Sequence, residues 1–336
     1  MMHLAATVPE VSANGNPFEP NRFEACEPVI LRGLCAHWPI IRATKGRFDT
    51  LAEYLRAMDT GRTAQCFVAP PEVGGRYYYG HDLEGFNFTR ETVTLSVAVD
   101  RILACAEDPA KGSVYLGSVP VADHVPGFAG ENVLDGLPEG VEPRIWIGNR
   151  SRVSCHFDTF DNLACVVAGR RRFTLYPPEA IADLYVGPID HTMAGQPVSL
   201  AASSAPGDPR YPRFDAIRDR ALIVELEPGD ALYLPKLWWH QVEATDEVNV
   251  LVNYWWDAFP QGRDTPFTAM MLALLAVAER PARERAAWRA FFDHYVFRPE
   301  GHPLRHLPQH RRGILGELGP ENRSRLRASI MQQLRG

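Results

Sequence analysis

The sequence predicts a mainly β domain, a sandwich or jelly roll with flanking helices, followed by a C-terminal helical extension. From Arg144 onward the chain consists of short apolar runs separated by Gly- and Pro-containing turns, which is typical of antiparallel β folds. From Thr265 the apolar residues change to helical spacing, which indicates that the sheet ends before this point. A chain of 336 residues is long enough for one large domain with such an appendage.

Three segments are predicted along the chain. Residues 1–16 are small and polar without periodicity and are expected to form a flexible lead-in. Residues 17–260 are expected to form the β domain, and residues 261–336 the helical extension. Because residues 265–295 carry more apolar surface than one helix face can bury, we expect the extension to join two copies of the chain.

Before Arg144 the pattern alternates short strands with helices. The 28–33 stretch is apolar and ends at a Gly, which predicts a buried strand. Thr50 and Glu53 have the spacing of a capping box, so a helix is expected from Thr50 to about Met58. The other predicted elements are strands at 66–69, 77–79 and 114–117, a helix from 89–91 to near 106, and an irregular Gly- and Pro-rich region at 123–143. The three tyrosines at 77–79 are more typical of core packing than of a pocket wall.

Beyond Arg144 the pattern predicts strands and then helices. The strands are expected at 145–147, 153–158, 164–168, 172–176, 221–226, 231–234, 240–244 and 248–255. The Glu-Pro-Gly-Asp stretch at 227–230 suits a type II turn between two of them. Residues 187–220 form a long insert rich in Pro, Gly and Ser, which favours a functional or mobile segment. Helices are expected from Thr265 to about Tyr295 and from Pro320 to Leu334.

Composition and charge narrow the class of protein. The formal net charge is −6 and no long basic stretch is present, so nucleic-acid binding is not expected. No apolar run is long enough to span a bilayer, so no membrane association is expected. The six cysteines form no C-x-x-C pair and no signal-peptide pattern is visible, which favours a reducing cytoplasm. Lysine occurs only at positions 45, 111 and 236, which favours a GC-rich, bacterial source.

The 154–159 stretch carries the strongest chemical signal in the sequence. His156 and Asp158 are two residues apart in a strand-like run, and such residues face the same side of a strand. His240 follows much later, directly after two tryptophans. Two histidines and one carboxylate with open positions are the facial triad of non-haem Fe(II) oxygenases. A His-x-Asp pair alone is more often structural, but His240 and the absence of a basic residue close to Asp158 favour a metal site.

A run of three arginines, Arg170 to Arg172, lies in another predicted strand region. Arg170 and Arg172 share one strand face and Arg171 takes the other. The pattern alone favours a solvated basic turn. The alternative is an inward guanidinium that binds a carboxylate, for which the planar donor fork of arginine is suited.

Together these residues resemble the cupin-like JmjC-type family of Fe(II)- and 2-oxoglutarate-dependent oxygenases, in particular the asparaginyl hydroxylase type that acts on hypoxia-inducible factor. The resemblance covers about residues 28–256. It rests on His156-Phe157-Asp158, Asn162, the 169–178 segment and the 229–240 segment that ends in Trp-Trp-His. It implies a double-stranded β-helix, a site for Fe(II) and 2-oxoglutarate, and C-terminal helices that form a homodimer.

The resemblance also implies roles for individual residues. His156, Asp158 and His240 match the metal ligands. Arg171 falls where the hydroxylase has a lysine that binds the distal carboxylate of 2-oxoglutarate, and Tyr115 matches a tyrosine that contacts the same carboxylate. The remaining matches are Asn162 and Asn253 near the cosubstrate and metal, and Val153, Trp239 and Trp255 as candidate pocket-lining residues.

The implied reaction consumes O2 and 2-oxoglutarate and releases succinate and CO2, with hydroxylation of a protein or peptide side chain or of a small metabolite. No catalytic residue beyond the metal centre is required. Hydroxylation is favoured over N-demethylation because no chromatin-reader module is visible. Val153 replaces a threonine of the hydroxylase, so one hydroxyl contact to 2-oxoglutarate is absent unless a group such as Tyr115 supplies it. The alternatives are a non-oxygenase metal-binding cupin, acting as an isomerase or hydrolase, and a degenerate cupin-like binding protein.

Overall fold

A computed structural model of the chain describes residues 7–12, 20–44, 47–193, 195–260 and 264–335. The strands of this described part are β1 (Glu10–Ser12), β2 (Val29–Arg32), β3 (Thr63–Ala69), β4 (Arg76–Tyr77), β5 (Thr89–Thr94), β6 (Ser113–Pro120), β7 (Pro143–His156), β8 (Asp161–Ala168), β9 (Arg171–Tyr176), β10 (Leu222–Leu226), β11 (Ala231–Leu234) and β12 (Trp239–Trp256). Its α-helices are α1 (Pro20–Ala25), α2 (Pro39–Thr44), α3 (Phe48–Met58), α4 (Leu95–Glu107), α5 (Val121–His124), α6 (Pro126–Glu131), α7 (Pro212–Asp215), α8 (Pro266–Val277), α9 (Ala282–Phe292) and α10 (Pro320–Leu334).

The strands form one mixed sheet that confirms the predicted jelly-roll class. Its main path runs in the order β1-β2-β11-β8-β12-β7-β6-β3-β5, with β9 and β10 paired beside β12 and β4 beside β7. The long strand β12 is central because it pairs with three others: its first part with β7 and β9, and its last part with β7 and β8. The curled sheet therefore brings the end of β7 and the start of β12 together inside the fold.

The core has two main parts, one on each side of the strands. Helices α3 and α4 bury Leu51, Leu55 and Ile102 against the sheet, where they belong to one cluster with Ile147 and Val250. A second cluster lies between the strands of the jelly roll and includes Phe173, Leu175 and Trp238. Burial of apolar side chains on both sides fixes the register of β7 and β12, and so the positions of the polar residues that they carry.

Several predicted elements are wrong in detail. The helix expected from 89–91 begins only at Leu95, because the β-branched run before it forms β5 and Thr94 caps the helix by accepting a hydrogen bond from the Val97 N–H. The helix expected to start at Thr50 starts at Phe48, so Thr50 lies within its first turn. The strands expected at 145–147 and 153–158 are one strand, β7, and those at 240–244 and 248–255 are one strand, β12.

The N-terminal prediction needs correction as well, whereas helices form at the C-terminus as expected. Within the predicted flexible lead-in, Glu10–Ser12 forms β1 and pairs in parallel with β2, while residues 1–6 and 13–16 lie outside the described residues. The helical region expected from Thr265 to about Tyr295 contains two helices, α8 and α9, with Pro281 between them. Proline cannot donate the backbone hydrogen bond that a continuous helix requires at this position.

The chain divides into two compact units, one up to Ala258 and one from Phe259 onward. The second unit contains α8, α9 and α10. Helix α8 has no buried residue along its whole length, and Leu275 on it is 83% exposed.

Within the described residues no helix is both long enough and apolar enough to cross a membrane.

Candidate active site

Three predicted metal ligands meet where β7 ends and β12 begins. His156 and His240 are cross-strand partners, and their ring centroids lie 4.3 Å apart. Asp158 follows the end of β7, so it lies in the connecting segment and not in the strand as predicted. The ligand atoms of these three residues all lie within 4.8 Å of one another. Ligand atoms this close together could hold a single metal ion.

Backbone hydrogen bonds hold the three side chains in this arrangement. The Leu237 N–H donates to the Asp158 carbonyl at 2.8 Å, which ties the turn before β12 to the segment after β7. Leu237 has a φ of 69°, so this sharp turn is imposed on a residue that disfavours it. The Nδ1 atoms of His156 and His240 lie 2.8 and 2.9 Å from the carbonyls of Ser154 and Trp238. An Nδ1–H that donates there leaves Nε2 with a free lone pair for a metal.

His240 is suited to ligation by its charge state. It is buried, and burial together with the neighbouring His156 lowers its pKa to about 4. The imidazole is therefore neutral at physiological pH, which is the form that ligates metals. Its Nε2 atom lies 3.8 Å from Oδ2 of Asp158.

The cluster opens into a cavity of about 480 Å³, which we call the inner chamber. Its lining consists of His156, Asp158 and His240 together with Tyr115, Trp146, Val153, Asn162, Ala164, Arg171, Phe173, Val242, Leu251, Asn253 and Trp255. All four residues predicted to contact the cosubstrate are therefore in one cavity with the three predicted metal ligands.

Arg171 is the most unusual residue of the inner chamber. Its side chain is 3% exposed, and its Nε and Nη2 atoms are buried without a hydrogen-bond partner among the described residues. Burial lowers the pKa of this guanidinium, which Tyr115 partly opposes by hydrogen bonding to it. The solvated basic turn favoured by the sequence pattern is thus wrong for Arg171. It holds for its neighbours, because Arg170 pairs with Asp246 and Arg172 with Glu225 at the surface.

Tyr115 reaches Arg171 because β7 has a glycine beside it. Tyr115 and Gly148 are partners across β6 and β7, and a Cβ atom at Gly148 would lie 2.9 Å from the Tyr115 ring. Burial raises the pKa of Tyr115 to about 12, so its hydroxyl stays neutral. It can therefore hydrogen bond to a carboxylate held by Arg171.

A hydrogen-bonded row of three side chains crosses the inner chamber. The Trp146 Nε1–H donates to Asn253 Oδ1 at 2.6 Å, and Asn253 Nδ2 donates to Asn162 Oδ1 at 3.0 Å. Because indole is a donor only, it fixes the orientation of the Asn253 amide, which in turn fixes that of Asn162. The Asn162 amide group NH2 then remains as a donor for a ligand.

Two of the three predicted pocket-lining residues line the inner chamber, and the third does not. Val153 and Trp255 line the inner chamber, and Trp255 Nε1 is buried without an acceptor among the described residues. Between Val153 and His156, β7 has one residue more than β12, and this bulge brings both onto the same wall. Trp239 lines neither the inner chamber nor the cavity that adjoins it, so the prediction of Trp239 as a pocket residue is wrong. It packs against Phe157 in a separate core cluster, on the side of β12 opposite His240.

A second cavity of about 720 Å³, which we call the outer chamber, adjoins the first. The two share the walls formed by Tyr115, Trp146, Val153, His156, Asp158 and Trp255. The remaining lining residues are Phe67, Tyr77, Phe88, Ser154, Met193, Gln196 and Val198. Three of these come from the 187–220 insert, so that segment forms part of the wall.

The role of Trp146 in the site and most of the outer chamber were not predicted from the sequence. Trp146 was recognised only as part of a strand, although an indole N–H in a buried strand usually has a polar partner nearby. Tyr77 was interpreted as core packing, and it is indeed buried, but it also forms part of the chamber wall. The aromatic residues of the 67–88 region could have been grouped from their number alone, although not placed beside the metal ligands.

Comparison with known proteins gives a consistent family. A family model described as a cupin-like domain matches residues 16–262. The lysine-specific demethylase JMJ31 of Arabidopsis thaliana is 27% identical over 226 residues, which is 61% of this chain and 36% of that protein. Human HSPB1-associated protein 1 is 33% identical over 165 residues, 48% of this chain and 32% of that protein. Jumonji C domain-containing protein 5 of Drosophila melanogaster is 25% identical over 264 residues, 74% of this chain and 60% of that protein.

The chain thus spans between 32% and 60% of the length of these relatives. They come from eukaryotes, so the bacterial source stays a prediction, as does the cytoplasmic location.

Proposed function

This chain belongs to the cupin-like domain family, and from that premise we propose that it is an Fe(II)- and 2-oxoglutarate-dependent oxygenase. JmjC-type members of the family use Fe(II), 2-oxoglutarate and O2. In the proposal His156, Asp158 and His240 hold the iron, and the substrate is a protein or peptide side chain or a small metabolite that becomes hydroxylated.

The observation that carries the proposal is the pair of unpartnered nitrogen atoms on the buried Arg171 guanidinium. A buried cation without an anion is costly, so its retention inside a cavity calls for an anionic ligand. The same cavity contains a cluster of two histidines and a carboxylate. A dicarboxylic keto acid would fit both the cluster and Arg171. Its keto-acid end suits a metal with open positions, and its far carboxylate suits a guanidinium.

The residues of the chain would bind and orient. When bound, iron and 2-oxoglutarate would supply the chemistry that uses O2 as the oxidant, with release of succinate and CO2. Arg171 and the Tyr115 hydroxyl would hold the distal carboxylate. Asn162, oriented through Asn253, would donate a hydrogen bond to the cosubstrate, and the apolar walls would limit access of water to the centre.

Trp146→Phe tests the row of side chains that ends at Asn162. We expect the KM for 2-oxoglutarate to rise about fivefold while kcat changes little, because one lost hydrogen bond leaves the Asn253 oxygen unpaired at a cost of about 1 kcal/mol. The measurement is succinate formation at varied 2-oxoglutarate concentration. Trp256→Phe is the control, since Trp256 Nε1 is also buried but has no hydrogen-bond partner among the described residues, and the residue is not part of either cavity lining. An unchanged KM, or an equal loss in kcat and in kcat/KM, would contradict a positioning role.

The proposed function itself is tested by turnover of 2-oxoglutarate to succinate by the purified chain with Fe(II) and O2. Peptide and metabolite mixtures should stimulate the turnover, and removal of Fe(II) with a chelator should abolish it. Activity that persists without O2 would favour a non-oxygenase cupin. Failure to bind either a divalent metal or 2-oxoglutarate would favour a degenerate binding protein.

We also propose that the C-terminal unit joins two copies of the chain, as expected from the sequence. Its helices expose Met270, Leu274, Leu275, Trp288 and Phe291 by 43% or more of their surface. Exposed apolar residues of this density are typical of an oligomer interface.

Leu275→Glu is expected to weaken such a homodimer by more than about tenfold. The change removes roughly 2 kcal/mol of apolar burial and places a carboxylate in the interface. Sedimentation velocity over a range of concentrations measures the effect. Ile223→Glu is the matched control, since Ile223 is 55% exposed on β10 in the other unit. A wild-type chain that is monomeric at all concentrations would contradict the proposal.

A further inference from the structure

The charges in and around the lining of the outer chamber indicate which kind of substrate group the proposed oxygenase can bind. Because it shares His156 and Asp158 with the inner chamber, a group that enters it lies next to the candidate metal centre. This inference therefore rests on the proposed function for its catalytic meaning, although binding to the chamber can be measured separately.

The described lining residues offer no free anion to a ligand. Asp158 is the one carboxylate among the described lining residues, and it belongs to the metal cluster. The Tyr77 hydroxyl lies 3.0 Å from Ser113 Oγ, away from any ligand, and burial raises the pKa of this phenol. Gln196 adds a neutral amide. A cationic ligand would thus enter without a counter-ion.

Two arginines of the chain make the chamber still less suitable for a cation. The Arg90 guanidinium lies 5.8 Å from the Phe67 ring centroid and 5.7 Å from that of Phe88, and its Nη2 donates to the Met193 carbonyl at 2.7 Å. These aromatic faces therefore already have a cation over them. On the other side, Tyr115 separates the chamber from the buried Arg171.

We propose that the outer chamber binds an uncharged, largely apolar group, and not the ammonium group of a lysine or methylated lysine. An apolar lining with few polar groups is what such a ligand requires. The relatives named as lysine-specific demethylases do not determine the substrate of this chain. Phe67, Phe88 and Met193 would determine specificity by packing, and Gln196 by its neutrality.

Two small molecules of matched shape test the charge preference directly. The uncharged probe is 4-tert-butylphenol, and the cationic probe is 4-(trimethylammonio)phenol, in which a nitrogen cation replaces the quaternary carbon. Calorimetric titration of the full chain should show at least about tenfold tighter binding of the uncharged probe, because the cation would be desolvated without a partner. Equal or tighter binding of the cation, or no binding of either probe, would overturn the inference.

Gln196→Glu provides the matched variant, since it adds a carboxylate to the lining with almost no change in shape. It should move the preference several-fold toward the cationic probe. Gln65→Glu, on an exposed part of β3 outside the lining, should leave the preference unchanged. If Gln196→Glu behaves as Gln65→Glu does, the chamber does not select by charge. If the uncharged probe binds as expected but the chain forms no succinate, the proposed oxygenase function fails while the inference about the chamber stands.

Discussion

Arg171→Met is expected to raise the dissociation constant for 2-oxoglutarate by about 100-fold to 1,000-fold. The guanidinium is the one arginine or lysine side chain among the described lining residues of the inner chamber. Its removal would leave the distal carboxylate of the cosubstrate buried without a counter-charge and with only the Tyr115 hydroxyl as a partner, which costs about 3–4 kcal/mol. Titration of the metal-loaded chain with 2-oxoglutarate in the absence of O2 measures the change without relying on turnover.

The same substitution should stabilise the chain in the absence of ligand. Arg171 has two buried nitrogen atoms without partners among the described residues, and methionine removes both while keeping an apolar side chain out to about the position of Nε. We therefore expect the Tm of the ligand-free chain to stay equal or rise, while its increase on addition of 2-oxoglutarate is lost. Arg171→Lys keeps the charge with a shorter reach and should lose only about tenfold in affinity. A large fall in Tm for Arg171→Met, with unchanged affinity, would make this arginine structural.

The sequence predicted the fold class well because the signals for it are local. Short apolar runs bounded by Gly and Pro turns lie within the sequence of each strand, so β11 was placed without error and several other strands beyond Arg144 to within a few residues. The errors fall where local signals compete with packing. The Thr-rich run at Thr89–Thr94 contains helix-capping residues, but pairing with β3 makes it a strand.

The metal ligands of the candidate site could be predicted from the sequence, but the surroundings of the site could not. His156, Asp158 and His240 could be grouped by residue type and by family resemblance. By contrast, the burial of Arg171 depends on the partners of β9 across the sheet, which no local pattern contains. Trp239 was misplaced because a one-residue shift along a strand moves a side chain to the opposite face. The outer chamber joins residues from β3, β7, β12 and the long insert, so only the folded chain defines it.

Asp158→Asn is expected to abolish Fe(II) binding and 2-oxoglutarate turnover. An amide has the shape of the carboxylate but lacks its charge, and it is a poor ligand for a divalent metal. The loss in metal affinity should exceed the 10-fold to 100-fold that is typical for residues that only support a ligand. Because the ion pair of the Asp158 carboxylate in the described part of the chain is the one with His240, at 3.8 Å, the Tm of the metal-free chain should change little.

Asp161, three residues after Asp158, provides a control that distinguishes the loss of a metal ligand from the loss of a structural carboxylate. Asp161 is buried, accepts hydrogen bonds from the Tyr233 hydroxyl and the Ala258 N–H, and pairs with Lys236 at 3.3 Å. Asp161→Asn should therefore lower the free energy of unfolding by about 1–3 kcal/mol and leave the metal affinity of the folded chain unchanged. Thermal unfolding and titration with Mn(II) as a redox-stable stand-in measure the two quantities for both variants. If Asp158→Asn destabilises the chain but still binds Mn(II) as the wild type does, Asp158 is not a metal ligand, and the facial arrangement with His156 and His240 must serve another purpose.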